Sequence, residues 1–564
     1  MWCRNIHCST IDFEPSFVYN HFQIGSKDVY SFCEPFPIYA SDSFHSDREA
    51  WFMVLMGIDI GTSGAKCVAV NSSGQVLAQS VHGYPLETPR PGWAEQDPEW
   101  WIKASFSSIR DVVQSISVMH EQIAGISFSG QMHGLVPLNA SGNVMRRSIL
   151  WCDQRTQKQC IQVQLAAGGR DKLVSMTNNV MLTGYTGGKI LWLKQNEPDC
   201  FQAMRVFLCP KDYLRYRLTG NICMDVSEAS GTGLFDTFHR CWCWELIDRL
   251  QLPHSIFPET MESTDSAGCI TPEAALATGL PAGTPCFAGG GDAVVQSFGS
   301  GLIHEGTVGA VIGTAGNVSM GFDHYTINPG GKLQMFCGVT PDSYMSFGAT
   351  QTAGGALRWF RDQLAKDILH EAESKGKNSY DLMSSLASQS PPGAGGIVFA
   401  PYLSGERCPY PDPDARGVLY GLSLNTTQSD IIRAVMEGIV FSLRQIVDIY
   451  RSFTCVTSAV ASGGGASSTL FLQMISGIFE MPVKTVSAAS EGGAYGAALI
   501  AGLGVGFFHS ANDAVSRLKI EEEYQPNEKH ILLYRKSYTI YDQLYPALKD
   551  VYRTGSQVYE DKEG

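Results

Sequence analysis

The sequence lacks any long apolar run. The longest near its start, Ala50 to Ile58, falls well short of the ~20 residues that ~30 Å of hydrocarbon requires, so a membrane partner is not expected. It also lacks any run of Lys or Arg. With 41 basic against 55 acidic residues the formal net charge is −14, and nothing supplies the basic patch that a nucleic-acid backbone needs. Paired Cys-x-x-Cys motifs are missing too. The 16 cysteines are scattered from Cys3 to Cys455, and the Cys241/Cys243 pair has no second pair at zinc-site spacing. They read as reduced thiols of a cytoplasmic protein. Finally, no loop has Walker A spacing.

Glycine is abundant instead, 58 residues in 564, and it is clustered. At ~150 residues per domain the length suggests two to four domains. Residues 1–52 show no apolar period, no helix-capping pattern and no signal-peptide organisation, and are too acidic for a typical transit peptide. They are expected to be an extension, either disordered or preceding a true start at Met53 or Met56.

From there strands and helices alternate. Val54 to Gly61 is a short apolar run ending at glycine, and Lys66–Val70, a turn at Asn71–Gly74 and Val76–Ser80 read as strand, turn and strand. Pro98–Ser117 reads as a helix and Ile123–Ser129 as a buried strand. Ser429–Tyr450 carries apolar residues at helical spacing, and Lys529–Arg553 is a terminal helix. Gly306–Gly313 restarts the strand-to-glycine pattern. The fold class is therefore α/β, in two lobes divided as 53–302 and 303–564.

Four glycine-bearing sites carry candidate chemistry. In Asp59-Ile-Gly-Thr-Ser-Gly-Ala-Lys66 a tight turn at a strand end offers backbone N–H groups and the hydroxyls of Thr62 and Ser63 to phosphate. Asp59 could hold Mg²⁺ through water and Lys66 adds a cation; an ordinary glycine hairpin is the competing reading. Gly313-Thr314-Ala-Gly316 is its counterpart in the second lobe, and two such turns suggest a phosphate chain held between lobes. Gly463, Gly464 and Gly465 lead into a helix over 467–479 and leave room for a base or ribose against backbone; a flexible loop is the alternative. In Ala288-Gly-Gly-Gly-Asp292 a carboxylate follows three glycines, so Asp292 is either functional or a helix N-cap.

These motifs, with Gly130-Gln-Met-His-Gly134, Leu150-Trp-Cys-Asp-Gln-Arg155, Pro210 to Gly220 and Asp225 to Thr232, occur in the order found in the FGGY carbohydrate kinases. The resemblance runs from about Met53 past Gly504 and is greatest to the family's xylulose-phosphorylating members. It implies a two-lobed, actin-like (ribonuclease-H-like) ATPase fold with the active site in the cleft, sugar and phosphate on the first lobe and nucleotide on the second. Asp292 would be the base acting on the terminal hydroxyl of D-xylulose, with Met132 and His133 on the sugar. Thr62, Ser63, Lys66, Gly313, Thr314, Gly464 and Gly465 would hold ATP, with Gly354 and Gly355 on the nucleotide side and Asp59 near Mg²⁺. Trp151, Asp153 and Arg155 either contact sugar or form a structural ion pair.

One position departs from the pattern. Ala293 stands where xylulose-phosphorylating members usually carry Asn, and alanine cannot hydrogen-bond a sugar hydroxyl. Another ketose or polyol, such as ribulose, fuculose or rhamnulose, is the alternative substrate, and a non-catalytic sugar- or ATP-binding regulator the alternative of a different class. The partners expected are a small sugar and ATP, with a homodimer as a further option.

Overall fold

The computed structural model describes residues 53–116, 122–487 and 491–560. The expectation for residues 1–52 lies outside the described residues. Among these, no helix is long and apolar enough to cross a membrane, and the cysteines form no disulfide.

Two seven-stranded mixed sheets organise the chain. The first runs Ser266–Cys269, Pro285–Phe287, Ile123–Gly130, Val54–Ile60, Gly64–Asn71, Val76–Gly83, with Gly290–Gly291 also paired to Ile123–Gly130. The second runs Gln334–Cys337, Tyr344–Thr350, Gly316–Phe322, Thr307–Ile312, Ser458–Ser462, Val483–Val486, Ile520–Tyr524. The same unit occurs in both. A largely apolar strand (Val54–Ile60 or Thr307–Ile312) turns at Gly-Thr into an antiparallel partner and pairs in parallel with a later strand. In α/β sheets, ligands gather outside the carboxyl ends of parallel strands, and that is where both Gly-Thr turns lie.

Local sequence explains the helices that flank these sheets. Asp97 caps Pro98–Ser115, accepting from the Glu99 backbone N–H, with proline in the first turn where its missing N–H costs nothing. Gln428–Arg451 begins in a reciprocal Thr427/Asp430 capping box and is buried along most of its length in the second core. The terminal helix, expected to end at Arg553, continues to Glu560.

One helix crosses the expected division at residues 302/303. Gly492–Gly504 lies in sequence between two strands of the second sheet, Val483–Val486 and Ile520–Tyr524, but packs on Val54–Ile60 of the first and on Asp292–Gly299. The approach is so close that a Cβ at Gly57 would lie 1.8 Å from the Ala494 carbonyl oxygen, which restricts this position to glycine.

Candidate active site

Strand register sets the first half of the site. Gly290 pairs with Ser129, Ser129 with Asp59, and Asp59 with Lys66, so these four lie in one row across the sheet. Just beyond, at the carboxyl edge, sit the Gly61–Gly64 turn, the Gln131–His133 segment and Asp292. The Gln131 N–H donates to the Ile60 carbonyl at 2.7 Å and locks the first two together. Gly289 makes the third approach possible: at φ +74°, a Cβ there would fall 2.0 Å from the Phe128 carbonyl oxygen.

Asp292 is the first residue of the helix Asp292–Gly299, whose N-cap is Gly291; the N-cap alternative for Asp292 is thereby corrected. Its carboxylate accepts from the Ala293 N–H at 2.8 Å and from the Met132 backbone. The side chain is closely surrounded by protein yet partly open to solvent. Burial, reinforced by the negative charge of Asp59, pushes its pKa up to about 7, and the two backbone N–H groups offset part of the rise. Asp59 is also raised by burial, and its Oδ1 accepts from Ser129 Oγ at 2.6 Å. Two buried carboxylates, the charge of Asp59 raising the pKa of Asp292, make an electronegative floor suited to a hard cation. No group of three acidic, His or Cys side chains gathers at one point among the described residues. Asp59 and Asp292 are the carboxylates that could hold a cation such as Mg²⁺ here, with water and phosphate oxygens as its other ligands.

His133 occupies a left-handed backbone conformation, φ 71°, and is buried. Its carbonyl accepts from Lys189 Nζ at 2.6 Å and Thr186 Oγ1 at 3.1 Å. Burial and the Lys189 charge lower its pKa to about 3, so the ring is neutral. Its Nδ1 lies 2.7 Å from the Gly231 carbonyl, which can only accept; Nδ1 therefore carries the proton and Nε2 is left as an acceptor. Met132 packs where a Cβ on Gly291 would otherwise sit.

The residues expected to hold phosphate are placed unevenly. Ser63 is exposed; Thr62 Oγ1 accepts from Trp151 Nε1 at 3.0 Å and its carbonyl from Gln96 Nε2 at 2.8 Å. Lys66 forms an ion pair with Glu491 at 2.9 Å, beside the start of the helix that crosses between lobes. In the second lobe the Gly313 and Thr314 carbonyls accept from the N–H groups of Gly354 and Gly355, and Arg358 Nη2 reaches Thr314 Oγ1 at 3.0 Å. Gly463 and Gly464 are exposed at the same strand end, with Gly465 buried against Ile312. A single-turn 3₁₀ helix, Gly464–Ser467, precedes Thr469–Phe479, where an uninterrupted helix was expected.

The Trp151/Asp153/Arg155 alternatives separate. Asp153 and Arg155 form a buried pair at 2.7 Å, Arg155 also reaches Glu95 at 2.7 Å, and its guanidinium lies 3.5 Å from the Trp93 ring centroid. These two make the ion pair, whereas Trp151 faces the Gly61–Gly64 turn. Sequence reasoning missed Gln96, Ser129, Lys189 and Arg358. A lone buried Gln carries no sequence signal, but Lys189 follows Gly187-Gly188 directly, Ser129 precedes the Gly130–Gly134 motif, and the short Arg358 spacing from Gly354 was available.

Profiles of the FGGY family of carbohydrate kinases match here, the N-terminal domain over residues 54–299 and the C-terminal domain over 311–505. A Bacillus subtilis (strain 168) protein named xylulose kinase is 34% identical over 499 residues, covering 88% of this chain and 97% of its own. The crystal structure of ligand-bound xylulose kinase from Lactobacillus acidophilus superposes with a TM-score of 0.82 at 26% identity, covering 89% of this chain and 99% of its own. A gluconate kinase from the same organism gives the same four values. With both domain profiles matched in order across two lobes whose carboxyl strand edges carry the expected motifs, the chain belongs to the FGGY family of carbohydrate kinases, enzymes that phosphorylate sugars with ATP.

Proposed function

We propose that this kinase converts D-xylulose to D-xylulose 5-phosphate with Asp292 as general base. The observation that carries the reading is the position of Asp292: a carboxylate with its pKa near 7, at the same sheet edge as the Gly61–Gly64 turn and the neutral His133. Phosphoryl transfer depends mainly on positioning and charge neutralisation, with a base to orient the hydroxyl. A base whose pKa lies near the working pH combines deprotonation with proton affinity better than an ordinary aspartate.

In this mechanism His133 Nε2 accepts from a sugar hydroxyl and holds the terminal hydroxyl toward Asp292. The oxygen attacks the γ-phosphorus while its proton passes to the Asp292 carboxylate. A P–O bond forms to the sugar, the bond to the β–γ bridging oxygen breaks, and ADP leaves with that electron pair. The Gly61–Gly64 and Gly313–Gly316 turns hold phosphate oxygens through backbone N–H groups and the hydroxyls of Thr62, Ser63 and Thr314. Gly464 offers exposed backbone to the adenosine, with Gly465 packed against Ile312 beneath it. Asp59 would hold Mg²⁺ through water, supplying charge neutralisation on the β- and γ-phosphates.

The xylulose assignment is supported by relatives bearing that name across nearly their whole length. A second reading, another ketose, a polyol or a sugar acid, is favoured by Ala293, which removes a hydrogen-bonding side chain beside Asp292, and by the equal likeness to a gluconate kinase. The test is a coupled ADP-release assay over xylulose, ribulose, fuculose, rhamnulose, glycerol and gluconate. Xylulose should give the highest kcat/KM, and Asp292→Ala should reduce kcat by ~10²–10⁴-fold. A different preferred sugar would overturn the substrate, and full activity in Asp292→Ala would overturn the base.

A further inference from the structure

The loop Ser404–Cys408 belongs to the second lobe and is tied to its phosphate turn. Ser404 Oγ lies 3.1 Å from Thr352 Oγ1, and the Gln351 N–H donates to Glu406 Oε1 at 2.8 Å. The next residues, Ala353 and Gly354, donate to the carbonyls of Thr314 and Gly313 at 2.9 and 2.8 Å. From this loop Arg407 reaches across to the first lobe, its guanidinium carbon 5.9 Å from the centroid of the Trp151 ring. Trp151 in turn donates to Thr62 in the other phosphate turn. Arg407 thus bridges two loops that each rest on one of the two Gly-Thr turns.

Its guanidinium makes no ion pair among the described residues, and the nearby carboxylate charge is that of adjacent Glu406. Lys66 is paired with Glu491, Arg155 with Asp153 and Glu95, and Lys189 with two carbonyls. Arg407 is exposed and, among the described residues, has no carboxylate within ion-pair distance. Its neighbour Glu406 is buried with its pKa pushed up to about 7, and spends Oε1 on the N–H groups of Gln351 and Arg407. A planar guanidinium beside an indole, between two loops that each rest on a Gly-Thr turn, is suited to oxygens of a transferring phosphoryl group.

We propose that Arg407 is a catalytic residue supplied by the second lobe, donating to the equatorial oxygens of the phosphoryl group in transit between ATP and the sugar. It leaves Trp151 for those oxygens when the reaction reaches its transition state, and returns when product departs. The inference rests on the kinase reading above.

Arginines that act on transferring phosphoryl groups are worth ~10³–10⁵ in rate where their charge is fully desolvated, and about 10²–10³ is expected at this open position. Arg407→Met should therefore lower kcat by ~10²–10³-fold with the sugar KM changed less than ~3-fold, and Arg407→Lys should recover only part of the loss. Calorimetry supplies a readout apart from turnover. Arg407→Met should weaken binding of ADP with aluminium fluoride by ~10²-fold while ADP alone binds within ~3-fold of the parent. Should the Met variant fail to fold by circular dichroism, the Lys variant carries both measurements. A kcat within ~3-fold of the parent, or equal losses for ADP alone and ADP with aluminium fluoride, overturns the proposal. A parent chain with no turnover on any sugar overturns the kinase reading instead, and the aluminium fluoride comparison still decides Arg407.

Discussion

Replacing Asp292 by Asn should make the protein more stable while it destroys activity, and the gain should depend on pH. In the folded chain the Asp292 pKa rises from an ordinary 3.8 to about 7, through burial first and the Asp59 charge second. That is a difference of about 3 units, or about 4 kcal/mol at 1.36 kcal/mol per unit. Because the side chain is partly open to the cleft, water screens some of this and ~1–3 kcal/mol is expected. The sign follows from which state holds the proton more tightly. Between pH 3.8 and 7 the folded chain keeps a proton that the unfolded chain releases, so the folded state loses stability as pH rises through that window. Above pH 7 the full penalty of the charged carboxylate is present, and a neutral amide escapes it. Urea denaturation of parent and Asp292→Asn at pH 8 and pH 4.5 reads the effect: a higher midpoint for the variant at pH 8 and a much smaller difference at pH 4.5. Equal midpoints at pH 8, or the same gain at both values, would refute the claim that this carboxylate is strained in the folded state.

The acid limb of kcat/KM should fall about tenfold per unit below pH 7, because Asp292 must be deprotonated to accept a proton; His133, at about 3, adds no inflection in the working range. A limb centred near 4 in the pH profile would show that the base is not raised. Gly289→Ala meets both a positive φ and the Phe128 carbonyl oxygen at 2.0 Å, so it should cost more than ~3 kcal/mol in denaturant titrations and displace Asp292, with loss of activity in whatever fraction folds. Arg155→Met strands the buried Asp153 and should cost ~3–5 kcal/mol of stability while the sugar KM, measured by initial rates, stays within ~2-fold. A KM shift without destabilisation would return Arg155 to the sugar site.

What could be read ahead of the structure was local. Gly61 and Gly313 end apolar strands, and a strand that must turn sharply against a neighbour declares itself through glycine. The same holds for Asp292, a carboxylate after three glycines. Asp153 and Arg155 could not be resolved between sugar contact and ion pair, because their roles depend on Glu95, Trp93 and Ala94, some 60 residues away and without a motif.

The sequence by itself determined the two-lobed α/β alternation and its strand-to-glycine turns, since apolar periodicity and glycine's backbone freedom act over a few residues. Only the tertiary structure decided how those turns become a site. Parallel pairing of three distant strands brings Asp59, His133 and Asp292 to one edge, and the Gly492–Gly504 helix returns from the second half to pack on the first sheet. The raised pKa of Asp292 and the neutral state of His133 follow from which groups burial places beside them. Those neighbours come from distant parts of the chain, and spacing along a sequence does not encode them.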